Sequence, residues 1–258
     1  MAAYENFTTK VHQKFGIDLR LYKEAQMKRR LTSLRDKRGF RDFTSYYDAM
    51  ILDATLSTEF IDRITINVSE FYRNPQRWDV LRDKVIPKLA KEKRNLRIWS
   101  AACSTGEEPY SLAILFREHF SHLTPTIIAT DIDDNALDHA KQGVYSEQAL
   151  KNIPKSKKSK YFTYNNNQYR VENELKKFIT FDKHNLLKDD YPKNIDLIVC
   201  RNVLIYFTDE AKQNIYNGFS HSLASDGILF VGSTEQIFHS HTYSLELFDT
   251  FFYQKKDE

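Results

Sequence analysis

From Tyr4 to about Asn67 apolar residues recur every three or four positions: Phe7, Val11 and Phe15, then Leu31 and Leu34, then Phe43, Tyr46, Tyr47, Met50 and Leu52, then Phe60, Ile61 and Ile64. That spacing predicts a small bundle of helices without strands. Gly16 and Gly39 fall at predicted helix ends, where a residue free to take positive φ closes the last turn. Beyond Asn67 the pattern changes to short apolar runs alternating with amphipathic stretches. Residues 96–101, 126–132, 195–200 and 227–232 read as buried strands, and residues 108–119, 133–141 and 209–223 as helices, the last two capped by Asp or Thr. This alternation predicts a parallel sheet covered by helices on both faces. Two segments depart from it. Residues 151–182 are basic and then tyrosine-rich, and 161–164 with 168–171 read as a small antiparallel insertion turning on Asn165-Asn166-Asn167. Residues 245–255 read as a strand completing the sheet antiparallel to its neighbours.

Composition narrows the class. A chain of 258 residues with 41% hydrophobic and 28% charged residues can bury a sizeable core, and its length suits one catalytic unit carrying a helical appendage. The polar N-terminus and the lack of any run of about 18 apolar residues predict a cytoplasmic protein without membrane insertion. Cys103 and Cys200 are the only cysteines and have no metal-ligand spacing, so neither a disulfide framework nor a metal is expected. A net charge of +3 is too mild to mark a nucleic-acid binder. Its distribution matters more: Lys28, Arg29, Arg30, Arg35 and Arg38 concentrate on one predicted helix, a face suited to an acidic partner.

In an open parallel sheet, ligands bind beyond the carboxyl ends of the strands, so the residues after each strand carry the candidate chemistry. After the first comes SAACSTGEEPYS, residues 100–111, small side chains leading into a helix N-terminus. Only Gly106 remains where a dinucleotide fingerprint has three glycines. Glu107 and Glu108 would repel a pyrophosphate but suit a ligand bearing a cationic amine, or else complement the helix dipole. Asp131, about 25 positions beyond this loop, sits where a ribose-hydroxyl acceptor belongs, and Asp133 reads as a helix cap. Asn185 and Asn202 each lie at a strand tip beside apolar residues, where an amide and a hydrophobic wall could clamp an adenine or merely form a turn.

Taken in order, NVSEFYRNP at 67–75, SAACSTGEEPYS at 100–111, ATDID at 129–133, HNLL at 184–187 and CRNVLIYF at 200–207 closely resemble the chemotaxis receptor methyltransferases, the CheR family. The resemblance spans essentially the whole chain. It implies an α/β fold: an N-terminal helical domain over 1–68 and a Rossmann-like S-adenosylmethionine-dependent domain over 69–258, with a small antiparallel β-subdomain inserted at about 158–182. The implied activity is methyl esterification of glutamates on chemotaxis receptors, leaving S-adenosylhomocysteine. By the family motifs the cofactor would contact Asn67, Ser69, Arg73, Ala102, Glu108, Asp131, Asn185, Leu186, Asn202 and Val203, with Glu107 the alternative to Glu108. Arg73 and Tyr206 would position the reacting carboxylate, and the basic helix would meet the acidic methylation helices of the receptor. Relatives that bind a receptor C-terminal pentapeptide often have a glycine-rich turn where Asn165-Asn166-Asn167 stands here, which argues against that tether.

Two other functions are weighed beside this one. A protein-amide or small-molecule methyltransferase would carry a motif such as Asn-Pro-Pro-Tyr after the fourth strand, which Arg201-Asn202-Val203-Leu204 does not match. A non-catalytic sensor of the cofactor would have no need of Arg73 and Tyr206.

Overall fold

The computed structural model describes residues 2–91 and 93–256. It divides into two compact units, one of residues up to Asn67 with Tyr206–Asn214, the other of Val68–Ile205 with residues from Ile215 onward.

Among the described residues, the first unit contains the helices α1 (Ala2–Phe15), α2 (Glu24–Lys37), α3 (Phe43–Met50) and α4 (Ala54–Thr65). Their ends follow local chemistry. Asp42 and Ser45 form a reciprocal capping box at the start of α3, and the Asp53 carboxylate accepts from the Thr55 and Leu56 amides at the start of α4. Gly16 and Gly39 adopt φ of 69° and 76° beyond α1 and α2, as expected of residues closing a last turn. The apolar faces meet in an aromatic core where Phe7 lies 4.8 Å from Phe43 and 6.0 Å from Phe60. The segment from Tyr206 joins this unit through an antiparallel bridge between Tyr22 and Phe207, with the Lys23 amide donating to the Tyr206 carbonyl.

The second unit begins with α5 (Pro75–Val80) and α6 (Ile86–Leu89), two pieces of one helical run joined by a wider turn. There follow β1 (Arg97–Ala101), α7 (Glu107–His119), β2 (Thr126–Asp131), α8 (Asp134–Gln142), β3 (Val144–Tyr145), α9 (Lys155–Tyr161), β4 (Phe162–Asn165), β5 (Gln168–Val171), α10 (Asn173–Lys176) and β6 (Ile179–Lys183). The chain continues through β7 (Ile195–Cys200), α11 (Asp209–Ser222, shared between the units), β8 (Leu223–Val231), β9 (Leu245–Asp249) and β10 (Phe252–Lys255). The main sheet runs β6-β2-β1-β7-β8-β10-β9, parallel through β8, with β10 antiparallel to both neighbours. Strand order therefore reverses at β1, between β2 and β7, the position where such sheets bind ligands. Alternate residues face opposite sides: Ile98, Leu197, Val199, Ile228 and Phe230 pack with α5 to α7, whereas Trp99 stacks edge-on to Phe219 of α11.

The structure redraws two expected segments. Residues 245–255 form a hairpin of two strands rather than one, because Phe251 takes φ of 71° and reverses the chain. The inserted sheet has the order β3-β5-β4, so its third strand comes from Val144–Tyr145, whereas Ile179–Lys183 of the expected 158–182 insertion pairs with β2 in the main sheet. A two-residue strand has no periodicity to read, and β6 is a half-exposed edge whose alternation is weak. The turn between β4 and β5 is closed by Asn166 and Asn167 at φ of 50° and 61°, the left-handed pair that a two-residue hairpin requires.

Candidate active site

The small-residue loop after β1 is strained. Ala102 and Ser104 have φ of 61° and 49°, each costing about 1–2 kcal/mol for a residue with a Cβ. One backbone and one side-chain acceptor of the neighbouring strand hold them there: the Cys103 amide donates to the Thr130 carbonyl at 2.9 Å and the Ser104 amide to Asp131 Oδ2 at 2.8 Å. Asp131 Oδ1 accepts from the Asp133 amide, and Asp133 in turn caps α8 through the Asn135 and Ala136 amides. Asp133 is thus the helix cap expected of it, while both carboxylate oxygens of Asp131 accept backbone amides. Burial pushes Asp131 up to about 6 against the backbone N–H groups that lower it. A Cβ at Gly106 would come within 2.8 Å of Ala140 Cβ and 3.0 Å of the Tyr145 hydroxyl, so the missing side chain makes room for α8.

Glu107 and Glu108 separate at the start of α7. Glu107 is buried and accepts from the Thr105 hydroxyl. Glu108 accepts from Ser100 Oγ at 2.8 Å and faces Arg201 Nη1 at 3.6 Å. Arg201, buried at the tip of β7, also donates to the Arg73 carbonyl at 2.8 Å and to Asn74 Oδ1 at 3.0 Å, with its guanidinium over the Phe230 ring. One cation therefore ties the 67–75 segment to the loop carboxylate. Burial pushes Glu108 upward and Arg201 downward, and each opposes the other's shift. The Arg73 guanidinium donates to the Val68 carbonyl, curling its own segment, and Ser69 is half-buried within it.

Asn202 adopts φ of 62°, and its amide donates to Glu235 Oε2 at 2.6 Å. Val203 follows it, half-buried. His184, which precedes the other candidate pair, donates its amide to the Asp131 carbonyl and lies edge-on to Trp99. Asn185 Oδ1 accepts from the Leu187 amide, a turn-forming bond, and Leu186 is buried with its carbonyl accepting from Tyr191. Arg73, Ala102, Glu108, Asp131, Asn185, Leu186, Asn202 and Val203 thus gather around the carboxyl ends of β1, β2, β6 and β7. Asn67 and Tyr206 belong to the other unit, where Asn67 donates to Thr65 Oγ1. The basic helix lies there too, and part of its charge is already engaged: Lys28 with Glu24, Arg30 with the Arg63 carbonyl, Arg35 with Asp36 and the Phe43 ring, Arg38 with Glu59. Arg29 is exposed.

Two residues of this site, Arg201 and Glu235, are not among the candidates that the sequence suggests. Both carry a signal. Arg201 is a charge set between two apolar runs, and Glu235 follows the tip of β8, a strand end of the same kind as those that hold the other candidates. Burial pushes both thiols, Cys103 and Cys200, well above their usual range, the setting of structural cysteines.

Buried polar atoms test the fit of a nucleoside cofactor. Among the described residues, Asn202 Oδ1 and Arg201 Nε are buried without hydrogen-bond partners, an acceptor and a donor at the switch point of the sheet. With Asp131 at the tip of β2, on the other side of β1, they suit a ligand rich in hydroxyls and amines. The fold is that of an S-adenosylmethionine-dependent methyltransferase. Residues 67–251 match the family described as CheR methyltransferase, SAM binding domain, and residues 2–65 match CheR methyltransferase, all-alpha domain. A chemotaxis protein methyltransferase of Listeria innocua is 45% identical over 253 residues, 98% of this chain and 97% of its own length. Those of Borreliella burgdorferi and Escherichia coli are 37% and 31% identical, over 88% and 92% of this chain and 85% of each relative. The chain belongs to the CheR methyltransferase family.

Proposed function

We propose that this methyltransferase acts in chemotaxis, in the cytoplasm, esterifying glutamate side chains on the methylation helices of chemotaxis receptors. What carries the proposal is the similarity to chemotaxis protein methyltransferases along nearly the full chain, together with the ordered motifs at the strand tips. Among the described residues no helix is long and apolar enough to cross a membrane, in keeping with a protein that meets its receptor from outside the bilayer.

When bound, S-adenosylmethionine supplies an electrophilic methyl group and leaves as S-adenosylhomocysteine. Asp131 would accept from the ribose hydroxyls, Glu108 from the methionine ammonium, and Asn202 Oδ1 from the adenine amine, with Ser69, Ala102, Asn185, Leu186 and Val203 as further walls. The roles of Asn67 and Tyr206 rest on the family motifs alone. A glutamate with a pKa of about 4.3 is already ionised at neutral pH, so the protein needs no general base. Its task is to orient a weak nucleophile and strip its water. Arg73 is suited to orient that carboxylate, because its segment is anchored by Arg201 while its own guanidinium remains half-exposed. Receptor docking falls to the helical unit, with Arg29 and its neighbours attracting acidic helices, and a C-terminal pentapeptide tether has no part in the proposal.

Transfer of radiolabelled methyl from S-adenosylmethionine to receptor-containing membranes tests this reading. The expected product is base-labile label, released as methanol and lost in Arg73→Ala. Cofactor binding with no transfer to receptor would overturn it.

A further inference from the structure

The turn that carries Asn202 and Val203 is built around a carboxylate from elsewhere in the chain. Glu235 is 5% exposed, and all four of its described hydrogen bonds are to backbone amides. Oε2 accepts from Asn202 at 2.6 Å and Gly232 at 2.9 Å, and Oε1 from Leu204 at 2.7 Å and Ile205 at 3.3 Å. Three of these donors lie in one four-residue stretch whose first residue stands in the left-handed region. The surrounding chain is shaped to allow it. The Glu235 amide closes a tight turn onto the Gly232 carbonyl, and a Cβ at Gly232 would run into both the carboxylate and the Asn202 amide.

A buried carboxylate costs free energy that burial alone never returns. Charge-assisted hydrogen bonds to several amides offset part of that cost, and they hold the backbone that supplies them. We propose that Glu235 is a positioning residue for the cofactor, fixing the 202–205 turn before binding so that Asn202 Oδ1 and the Val203 wall are already in place. The inference rests on the reading that Asn202 and Val203 contact S-adenosylmethionine. Without the carboxylate, the left-handed Asn202 would have to be ordered by the ligand itself, and affinity would fall by the population of the competent turn.

Glu235→Gln keeps the shape but turns one acceptor into a donor, so it opposes two of the four amides whichever way the amide lies. Calorimetric titration with S-adenosylmethionine should show a dissociation constant raised about 10- to 100-fold, corresponding to loss of one or two charge-assisted bonds. The KM for the cofactor should rise in step, while kcat at saturating cofactor stays within about twofold. In hydrogen exchange, the Leu204 and Ile205 amides should lose protection while β7 and β8 keep theirs. Cofactor affinity within about twofold of wild type would overturn the proposal. Asn202→Ala separates this failure from that of the underlying reading. If Asn202→Ala also binds normally, the assignment of the cofactor site falls. If it binds weakly while Glu235→Gln does not, only the positioning role falls. Should Glu235→Gln fail to fold, Glu235→Asp keeps the charge at a shorter reach: weakened binding with the same loss of protection supports the role, and unchanged binding overturns it.

Discussion

Arg201→Met removes a buried cation that joins three parts of the candidate site. The substitution keeps a long, flexible, apolar stem over the Phe230 ring but loses the bonds to the Arg73 carbonyl and Asn74 Oδ1 and the partner of Glu108. Removing one member of a buried pair leaves an uncompensated charge and typically costs about 3–5 kcal/mol. Part of that cost belongs to Glu108 and disappears if Glu108 is made neutral first. In the Glu108→Gln background, Arg201→Met should therefore cost less by at least about 1 kcal/mol, within the range found for contacting pairs. Both tryptophans, Trp78 and Trp99, are buried in the sheet-bearing unit, so urea unfolding followed by tryptophan fluorescence reports on this unit. A loss equal in both backgrounds to within about 0.5 kcal/mol would refute the coupling between Arg201 and Glu108.

Three further outcomes are expected. Asp131 with a pKa near 6 is ionised at neutral pH, so cofactor affinity should be flat above pH 7 and fall as pH drops through about 6, a dependence that Asp131→Asn removes; calorimetry from pH 7.5 to 5 checks it, and a flat profile in the wild type would sink it. The sign for stability is opposite, because a raised carboxyl pKa favours the protonated folded state, so this group's contribution is present below its usual pKa and is lost as pH rises through about 6. Gly106→Ala forces a Cβ at φ of 94° against Ala140 and should cost about 2–4 kcal/mol, read as a lower urea midpoint. Reversing charge at Lys28 and Arg29, which leaves the Arg35 contact with Phe43 intact, should weaken receptor methylation at low salt and matter little at high salt; methylation unchanged at both would remove the basic helix from docking.

Local chemistry is legible in the residues themselves. The capping residues Asp42, Asp53 and Asp133 sit where a short polar side chain must satisfy free amides, and β1, β2 and β7 are apolar runs whose burial their composition dictates. The ordered motifs at the strand tips, met along the chain, are enough to reach the family. What one sequence does not contain is which distant segments close on each other. Arg201 meets the Arg73 carbonyl across 128 positions and Glu235 meets the Asn202 amide across 33, contacts that exist only once the sheet has brought its strand tips together. The same holds for Val144–Tyr145, too short to show a period, and for Tyr206–Asn214, which pairs with Tyr22 and so joins the helical unit. Periodicity records how each segment divides its faces between core and water, and so determines elements. The choice of partner is decided by chain closure and mutual burial, which are properties of the tertiary structure alone.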